Sequence, residues 1–452
     1  MMQAVINNIS NFVWGPPMLI LIVGTGIYLT LRLGFLQIRT LPYALRLAFS
    51  PKRQDKKSKG DISHYQALTT AMAATIGTGN IVGVATAVVL GGPGAVFWMW
   101  ITALFGMATK YAEAILAVKY RVENSKGEMS GGPMYYLERG LNAKWLGILF
   151  ALFGAVAAFG IGNMVQSNSV SDALESSFNI PTWATGIALT ILAGLVIIGG
   201  IKSIGKVTAF FVPIMALFYV IGGLIIIFMN LSIVPDAIAL IFTDAFSASA
   251  VGGGILGTVI RYGVARGVFS NEAGLGSAPI AAAAAKTDYP GRQALVSMTQ
   301  VFIDTIIVCS ITGITIVMAG LADSGLEGGP LTMASFELFL GETGAHIVTI
   351  GIVLFAFSTI VGWSYYGEKC FAYLFNNDKV VPIYRVLFVL AVLYGSIETL
   401  DLVWGISDVM NALMAVPNLI GILGLTGVVV YETKKFLEVA KKEKEQERIS
   451  NT

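Results

Sequence analysis

Charged residues are scarce in this sequence: 12% of the 452 residues are Asp, Glu, Lys or Arg, whereas 55% are hydrophobic. A soluble domain carries about twice that charged fraction. Apolar stretches of roughly 20 residues recur along the whole chain, and each is long enough to cross about 30 Å of hydrocarbon. The composition therefore excludes a soluble globular protein and predicts an all-α polytopic membrane protein embedded in a lipid bilayer.

Cysteine and histidine are almost missing, with two residues of each. Cys309 and Cys370 both lie in apolar stretches, which indicates neither a disulfide framework nor a metal cluster. His64 and His346 are far apart in sequence, and neither belongs to an HExxH motif. An intramembrane enzyme would need a catalytic dyad or a metal set. We therefore expect no enzymatic activity, no cofactor and no nucleic-acid partner.

Eleven apolar segments are predicted to span the membrane. They cover residues 13–33, 66–90, 94–118, 145–172, 181–201, 206–230, 250–285, 293–319, 344–374, 382–399 and 403–431. Lysine and arginine collect in alternate loops, whereas the loop from Gly320 to Thr343 contains acidic residues and no basic one. The positive-inside bias then places the N-terminus outside and the C-terminus in the cytoplasm of a multi-pass protein of the cell membrane.

Two glycine-rich sequences lie near the middle of the second and seventh predicted spans. They are TIGTGNIVG at residues 75–83 and FSNEAGLGS at residues 269–277. Each contains Gly-x-Gly followed by a small polar residue, and each opens a block of five spans. Because five is odd, the two blocks enter the membrane from opposite faces. The sequence therefore predicts eleven transmembrane helices, with a five-plus-five inverted repeat preceded by one extra helix and with two discontinuous helices.

This repeat defines four predicted regions of a chain that we expect to be monomeric. They are an extra helix and cytoplasmic linker at 1–60, a first repeat at 61–232, a second repeat at 233–433 and a cytoplasmic tail at 434–452.

The glycines of each break have a physical consequence. They weaken the helix and release backbone polar groups from its hydrogen-bond ladder. In hydrocarbon such groups cost several kcal/mol each unless a ligand or a neighbouring helix satisfies them. Free amides favour a carboxylate and free carbonyls favour a cation. A zwitterionic amino acid with a sodium ion fits this arrangement. The alternative, that the glycines only allow close helix packing, is less favoured because the two breaks occupy matching positions.

At these residues the sequence resembles the sodium-coupled alanine/glycine symporters of prokaryotes. The resemblance covers essentially the whole chain and is carried by residues 75–83, by GVARGVFSNEAGLGSAP at 263–279 and by GWSYYGEK at 362–369. That family is similar in fold to LeuT-type transporters. The resemblance implies import of alanine or glycine by alternating access, with sodium as the coupling ion.

The LeuT-like pattern implies a substrate site between the two breaks. The substrate carboxylate is expected at the amides of Thr78 and Gly79. The substrate ammonium is expected at the carbonyls of Thr75, Phe269 and Ser270. A sodium ion beside the substrate would use Asn80 and Ser270. The other expected substrate-site residues are Gln166, Asn271, Gly274, Gly276 and Trp363, with Asn163, Glu272, Asp304 and Ser277 as further candidates.

The resemblance also implies a second sodium site made only of oxygen atoms. Ser358 and Thr359 supply two hydroxyls, and the carbonyls of Ala73, Ile76 and Phe355 complete the shell. The alternative for a Ser-Thr pair in a helix is hydrogen bonding to its own preceding turn.

Three further residues leave alternatives open. Trp363 follows Thr359 by one turn, so its indole either limits the space for the substrate side chain or is a packed core aromatic. Glu272 could contact the substrate ammonium, lie near the ion or neutralise Arg266, and we favour an architectural role. Proton coupling through Glu272 or Asp304 is the closest alternative function, because intramembrane carboxylates are expensive and commonly functional. An ion channel is less favoured, because a channel would require a pore ring from symmetric subunits.

Overall fold

The computed structural model describes residues 2–50, 57–247, 257–398 and 401–450, and these residues are mostly α-helical. In chain order the helices are α1 (Met2–Val13), α2 (Pro16–Arg32), α3 (Leu36–Phe49), α4 (His64–Thr75), α5 (Val82–Gly91), α6 (Ala95–Lys119), α7 (Pro133–Gly140), α8 (Lys144–Phe159), α9 (Val165–Phe178), α10 (Thr182–Ile197), α11 (Gly200–Met229), α12 (Val234–Ala245), α13 (Thr258–Asn271), α14 (Pro279–Ala283), α15 (Pro290–Val301), α16 (Ser310–Ala319), α17 (Gly328–Leu340), α18 (Glu342–Phe375), α19 (Val381–Ile397), α20 (Asp401–Gly424) and α21 (Thr426–Ser450). Two short strands, Val122–Glu123 and Met129–Ser130, pair antiparallel.

The helical membrane architecture expected from composition is confirmed. Within the described residues, 7 helices are long and apolar enough to cross a membrane, or up to 8 if the bent pair α2 and α3 forms one span. The three other predicted spans correspond to shorter helices. The second is divided into α4 and α5, the seventh into α13 and α14, and the fifth is the 16-residue α10. The predicted start of the seventh span at residue 250 and the end of the tenth at residue 399 lie outside the described residues.

The first break separates α4 from α5. Ser63 and Gln66 begin α4 with a reciprocal capping box, in which Ser63 Oγ accepts from the Gln66 amide at 3.2 Å and Gln66 Oε1 accepts from the Ser63 amide at 3.0 Å. After α4 ends, Asn80 Oδ1 accepts a hydrogen bond from the Gly77 amide at 2.9 Å. A side chain at Gly77 would collide with the Thr359 hydroxyl. Glycine at this position therefore allows the break to lie directly against α18.

The second break separates α13 from α14 through left-handed backbone. Glu272 has φ 56°, and Gly274 and Gly276 have φ 93° and 85°. A right-handed helix cannot continue through these values. Glycine adopts them freely, whereas Glu272 bears a conformational cost of about 1 kcal/mol or more. Pro279 then begins α14, where its fixed φ and missing N–H are tolerated.

Two long helices are widened by π-helical turns. The turn Gly160–Met164 joins α8 to α9, and the turn Phe302–Cys309 joins α15 to α16. The longest helix, α18, packs against α4, α8, α9 and α11. Its contact with α4 is close at Gly362, where an added Cβ would lie 2.6 Å from the Ala74 nitrogen. The two breaks, both π turns and the middle of α18 thus meet in one region of the bundle.

Candidate functional site

Five oxygen atoms converge where α18 meets the end of α4. Three are carbonyl oxygens, those of Ala73, Ile76 and Phe355. Ser358 Oγ lies 3.1, 3.4 and 2.8 Å from them in that order, and Thr359 Oγ1 lies 3.2, 3.5 and 3.0 Å from them. Both hydroxyl side chains belong to buried residues. All five residues predicted for an oxygen-only ion site are therefore brought together.

Hydrogen bonds between these groups cannot satisfy all five oxygen atoms. Each hydroxyl has a single hydrogen to donate. Only two hydrogens are therefore available for the six hydroxyl–carbonyl pairs at these distances. Bonding of both hydroxyls to the Phe355 carbonyl, one turn earlier, is the ordinary behaviour of Ser and Thr in a helix. It leaves the Ala73 and Ile76 carbonyls directed at hydroxyl oxygens without enough hydrogens. Oxygen atoms are the ligands that hard cations prefer, and an uncharged set of five suits a monovalent one.

One amide of the first break, that of Thr78, faces α9. The Thr78 amide donates to Gln166 Oε1 at 3.3 Å, and Gln166 Nε2 donates to the Ile161 carbonyl within the π turn at 2.9 Å. The Thr78 hydroxyl is buried and has no hydrogen-bond partner among the residues that the structure describes. Gly79 packs on Phe269, since an added Cβ would lie 3.2 Å from its ring. The first break therefore offers an amide, a hydroxyl and an aromatic wall in one place.

Asn163 lies on the same π turn but is directed toward α19. Its Nδ2 donates to the Phe388 carbonyl at 2.6 Å, while its buried Oδ1 has no hydrogen-bond partner in the described part of the chain. This contact attaches the π turn to α19. Asn163 therefore stabilises the turn to which Gln166 is hydrogen-bonded.

A buried carboxylate joins the two breaks. Asp304 Oδ1 accepts from Asn80 Nδ2 at 2.8 Å, and Asp304 Oδ2 accepts from Ser270 Oγ at 2.9 Å and from Thr305 Oγ1 at 2.8 Å. Cys309 Sγ lies 3.2 Å from the Ser270 hydroxyl. Within the described residues, no ion pair joins Asp304 to a basic side chain. The uncharged donors Asn80, from the first break, and Ser270, from the second, therefore hold the Asp304 carboxylate between the two breaks.

Trp363 and Glu272 form a direct contact. Trp363 Nε1 donates to Glu272 Oε1 at 2.9 Å, and the Ser277 hydroxyl donates to the other carboxylate oxygen. Lys110 Nζ donates to the Glu272 carbonyl at 3.0 Å. Arg266 instead lies over the Phe269 ring, with its guanidinium carbon 5.7 Å from the ring centroid. Among the roles left open for Glu272, the geometry favours architecture, because its carboxylate fixes the indole.

The remaining predicted residues hold the second break in place. Asn271 Oδ1 accepts from the Ala273 amide at 2.9 Å and its Nδ2 donates to Thr305 Oγ1 at 3.2 Å. The Gly274 amide donates to Glu113 Oε1 at 3.0 Å. Gly276 lies in close packing, where an added Cβ would be 2.6 Å from Pro133 Cγ. These contacts tie the break to α6, α7 and the π turn after α15.

Two polar residues of the site were missed from the sequence. Gln300 Nε2 donates to Thr75 Oγ1 at 2.9 Å and to the Asn271 carbonyl at 3.3 Å, which connects the two breaks. Asn418 Nδ2 donates to Glu113 Oε1 at 2.7 Å and to the Gly274 carbonyl at 2.8 Å. Gln300 precedes Asp304 by one helical turn, so a shared polar face in the eighth span was the available signal.

A cavity of about 440 Å³ adjoins the site beyond Phe269. It is lined by Ser10, Trp14, Leu90, Arg261, Tyr262, Ala265, Arg266, Phe269 and Asp408. Ser10 Oγ donates to Asp408 Oδ2 at 2.6 Å on its wall. Phe269 therefore separates the first break from this polar cavity.

Comparison with known proteins agrees with this geometry. The sequence model of the sodium:alanine symporter family matches residues 1–450. The chain is similar to the sodium/alanine symporter AgcS of Methanococcus maripaludis, with 61% identity over 97% of this chain and 98% of the relative. It is 38% identical to the probable sodium/glutamine symporter GlnT of Bacillus subtilis, over 96% and 91% of the two chains. A crystal structure of MhsT in complex with L-phenylalanine covers 83% of this chain and 93% of that one with a TM-score of 0.62 and 15% identity. This last likeness concerns the fold alone, and it supports the predicted LeuT-like architecture.

Proposed function

The chain belongs to the sodium:alanine symporter family and is a multi-pass secondary transporter, and we propose that it imports alanine or glycine together with sodium by alternating access. The observation that carries this proposal is the convergence of five oxygens against the first break. The carbonyl of Ile76 belongs to this cluster, and the amide of Thr78 lies two residues further along, at the start of the 3₁₀ turn Thr78–Asn80. Cation and substrate thus share one piece of backbone.

In the proposed complex the substrate lies between the two breaks. Its carboxylate replaces Gln166 Oε1 at the Thr78 amide and also meets the Gly79 amide. The buried Thr78 hydroxyl gains a partner from the same carboxylate, which removes the cost of an unsatisfied polar group. The substrate ammonium binds the carbonyls of Thr75, Phe269 and Ser270.

Sodium, as the co-transported ion, binds the carbonyls of Ala73, Ile76 and Phe355 and the hydroxyls of Ser358 and Thr359. Binding there joins the end of α4 to α18 and fixes the backbone that leads to the Thr78 amide. Because each ligand stabilises the segment that the other needs, the two affinities rise together, and this coupling is reciprocal.

The size of the substrate side chain is limited by Trp363. Its indole is buried and held by Glu272. On its other side the ring meets Gly162 of the π turn, where an added Cβ would collide with the indole. An indole confined in this way leaves room for a methyl group or a hydrogen and excludes a branched side chain such as that of leucine.

We further propose the topology indicated by the sequence. Eleven spans form a five-plus-five inverted repeat after one extra helix, with α4–α5 and α13–α14 as discontinuous spans, and the chain is monomeric. The regions are 1–60, 61–232, 233–433 and 434–452, with the N-terminus outside and the C-terminus in the cytoplasm. The basic loops and the matching positions of the two breaks support this arrangement.

Proton coupling is a second candidate, supported by the buried carboxylate of Asp304 and its neutral donors. One experiment separates the two. Radiolabelled alanine uptake is measured in proteoliposomes with sodium replaced by choline at fixed pH, and again with a proton gradient alone. Loss of uptake in choline supports sodium symport. Unchanged uptake in choline would refute it, and uptake driven by the proton gradient would favour the second candidate.

The substrate assignment has its own test in a competition series. Unlabelled amino acids compete with labelled alanine in the presence and in the absence of sodium. Strong competition by alanine and glycine, absent for leucine, is expected only when sodium is present. Strong competition by large side chains would contradict the proposed pocket.

A further inference from the structure

Two helices at one edge of the protein form a groove with a regular spacing on each side. From α3 it is lined by Arg39, Pro42, Tyr43 and Arg46, and from α21 by Leu437, Ala440, Lys441 and Lys444. Each set follows the i, i+3, i+4, i+7 pattern of a single helix face. The cavity has a volume of about 440 Å³. We call these eight residues the basic groove.

The basic groove contains four cationic residues, Arg39, Arg46, Lys441 and Lys444, and none of its described lining residues is acidic. Such a concentration of positive charge on two facing helices is unfavourable without an anion. Arg39 makes one hydrogen bond, from Nη1 to the Gly34 carbonyl at 3.0 Å, which directs its guanidinium along the start of α3.

Two acidic residues of α21, Glu432 and Glu443, fasten the helix to the bundle. Glu432 pairs with Lys119 at 2.6 Å, and Glu443 pairs with Arg292 at 2.6 Å. The Arg292 guanidinium carbon also lies 5.3 Å from the centroid of the Phe436 ring. These contacts fix the rotation of α21, so Lys441 and Lys444 are held toward α3.

The basic groove lies next to a sharp bend at the end of an apolar helix. The helix α3 is bent by 83° from the apolar helix α2, at a turn where Gly34 and Phe35 both have positive φ. It exposes the basic residues Arg39 and Arg46 together with the apolar residues Ile38 and Phe49. A helix that is strongly bent from a span and exposes both basic and apolar side chains is typical of the membrane interface.

We propose that the basic groove binds the phosphate headgroup of an anionic phospholipid. The four cations recognise the phosphate, while Pro42, Tyr43 and Leu437 offer apolar surface to the adjoining glycerol and upper acyl chain. A lipid is favoured over free phosphate because the groove combines cationic and apolar lining at the level of the bend. Basic pockets next to spans are a recurrent form of lipid recognition.

The test measures lipid binding to the purified full chain in detergent by native mass spectrometry. The probes are phosphatidylglycerol, phosphatidylcholine and inorganic phosphate. The variant Lys441→Gln with Lys444→Gln removes two charges of the groove. The matched control, Lys434→Gln with Lys442→Gln, removes two exposed charges from the same helix outside the groove.

We expect one phosphatidylglycerol to bind more tightly than phosphatidylcholine to the wild type and to the control. Binding to the groove variant should be weaker by roughly 25-fold, about fivefold for each lysine. Equal losses in both variants would overturn the proposal, because surface charge alone would then explain binding. Competition by inorganic phosphate at a concentration equal to the lipid would overturn the choice of lipid over free phosphate.

Discussion

Replacement of Thr359 by valine tests the proposed ion site with little change of shape. The variant keeps a branched side chain but removes one of the two hydroxyl oxygens that face the carbonyls of Ala73, Ile76 and Phe355. An interaction of a neutral polar group with a charge contributes about 1.5–3 kcal/mol. Because 1.4 kcal/mol corresponds to a factor of ten, sodium affinity should fall by roughly 10-fold to 150-fold.

The measurement is the sodium dependence of radiolabelled alanine uptake in proteoliposomes. Thr359→Ser keeps the oxygen and should stay within a few-fold of the wild type. Ser364→Ala is a matched control, because Ser364 is buried on the same helix and its hydroxyl donates to the Val361 carbonyl of its own helix at 2.7 Å. It should leave the sodium dependence unchanged. A wild-type sodium response of Thr359→Val at normal expression would refute the assigned ion site.

Three other variants test the pocket and the first break. Trp363→Ala should allow leucine to compete with alanine, and continued exclusion of leucine would argue against the indole as the size limit. Glu272→Ala should also allow leucine to compete, because it frees the indole of Trp363. Glu272→Gln keeps an acceptor for Trp363 Nε1 and should still exclude leucine. Identical competition profiles for the two variants would contradict the role of Glu272 in holding the indole. Gly77→Ala should reduce uptake at least tenfold because its methyl group meets the Thr359 hydroxyl, whereas Gly83→Ala, with open space around it, should be tolerated. Purified yield and thermal unfolding of each variant separate these effects from misfolding.

The helix ends beside the two glycine pairs could be anticipated because glycine has a direct backbone consequence, whereas the division of a membrane span at each pair stays a prediction. The sequence placed Gly77 and Gly79 at one and Gly274 and Gly276 at the other, and the structure ends α4 before the first pair and α13 before the second. The number of spans stays a prediction, because α4, α5, α13 and α14 are each too short to cross a membrane alone.

Long-range partners were not predictable by the same reasoning. The contact of Trp363 with Glu272 joins residues 91 positions apart, and that of Asn418 with Glu113 joins residues 305 positions apart. No periodicity links such pairs, since each depends on how helices pack in three dimensions. The oxygen cluster around Ser358 was expected only because of a family resemblance; a Ser-Thr pair in a helix carries no such information by itself.

The π turn before α9 determines which way Gln166 points. A π turn holds one residue more than an α-helical turn, and each residue of an α-helix advances the direction of the side chains by about 100°. If all residues of Gly160–Met164 were instead wound as an ordinary α-helix, α9 would rotate relative to α8 by about that angle. Gln166 would then point away from Thr78 while every span kept its hydrophobicity. A deletion of one residue here would convert the π turn into an α-helical turn and keep the direction of α9, so the winding of this turn is as informative as the identity of the glutamine.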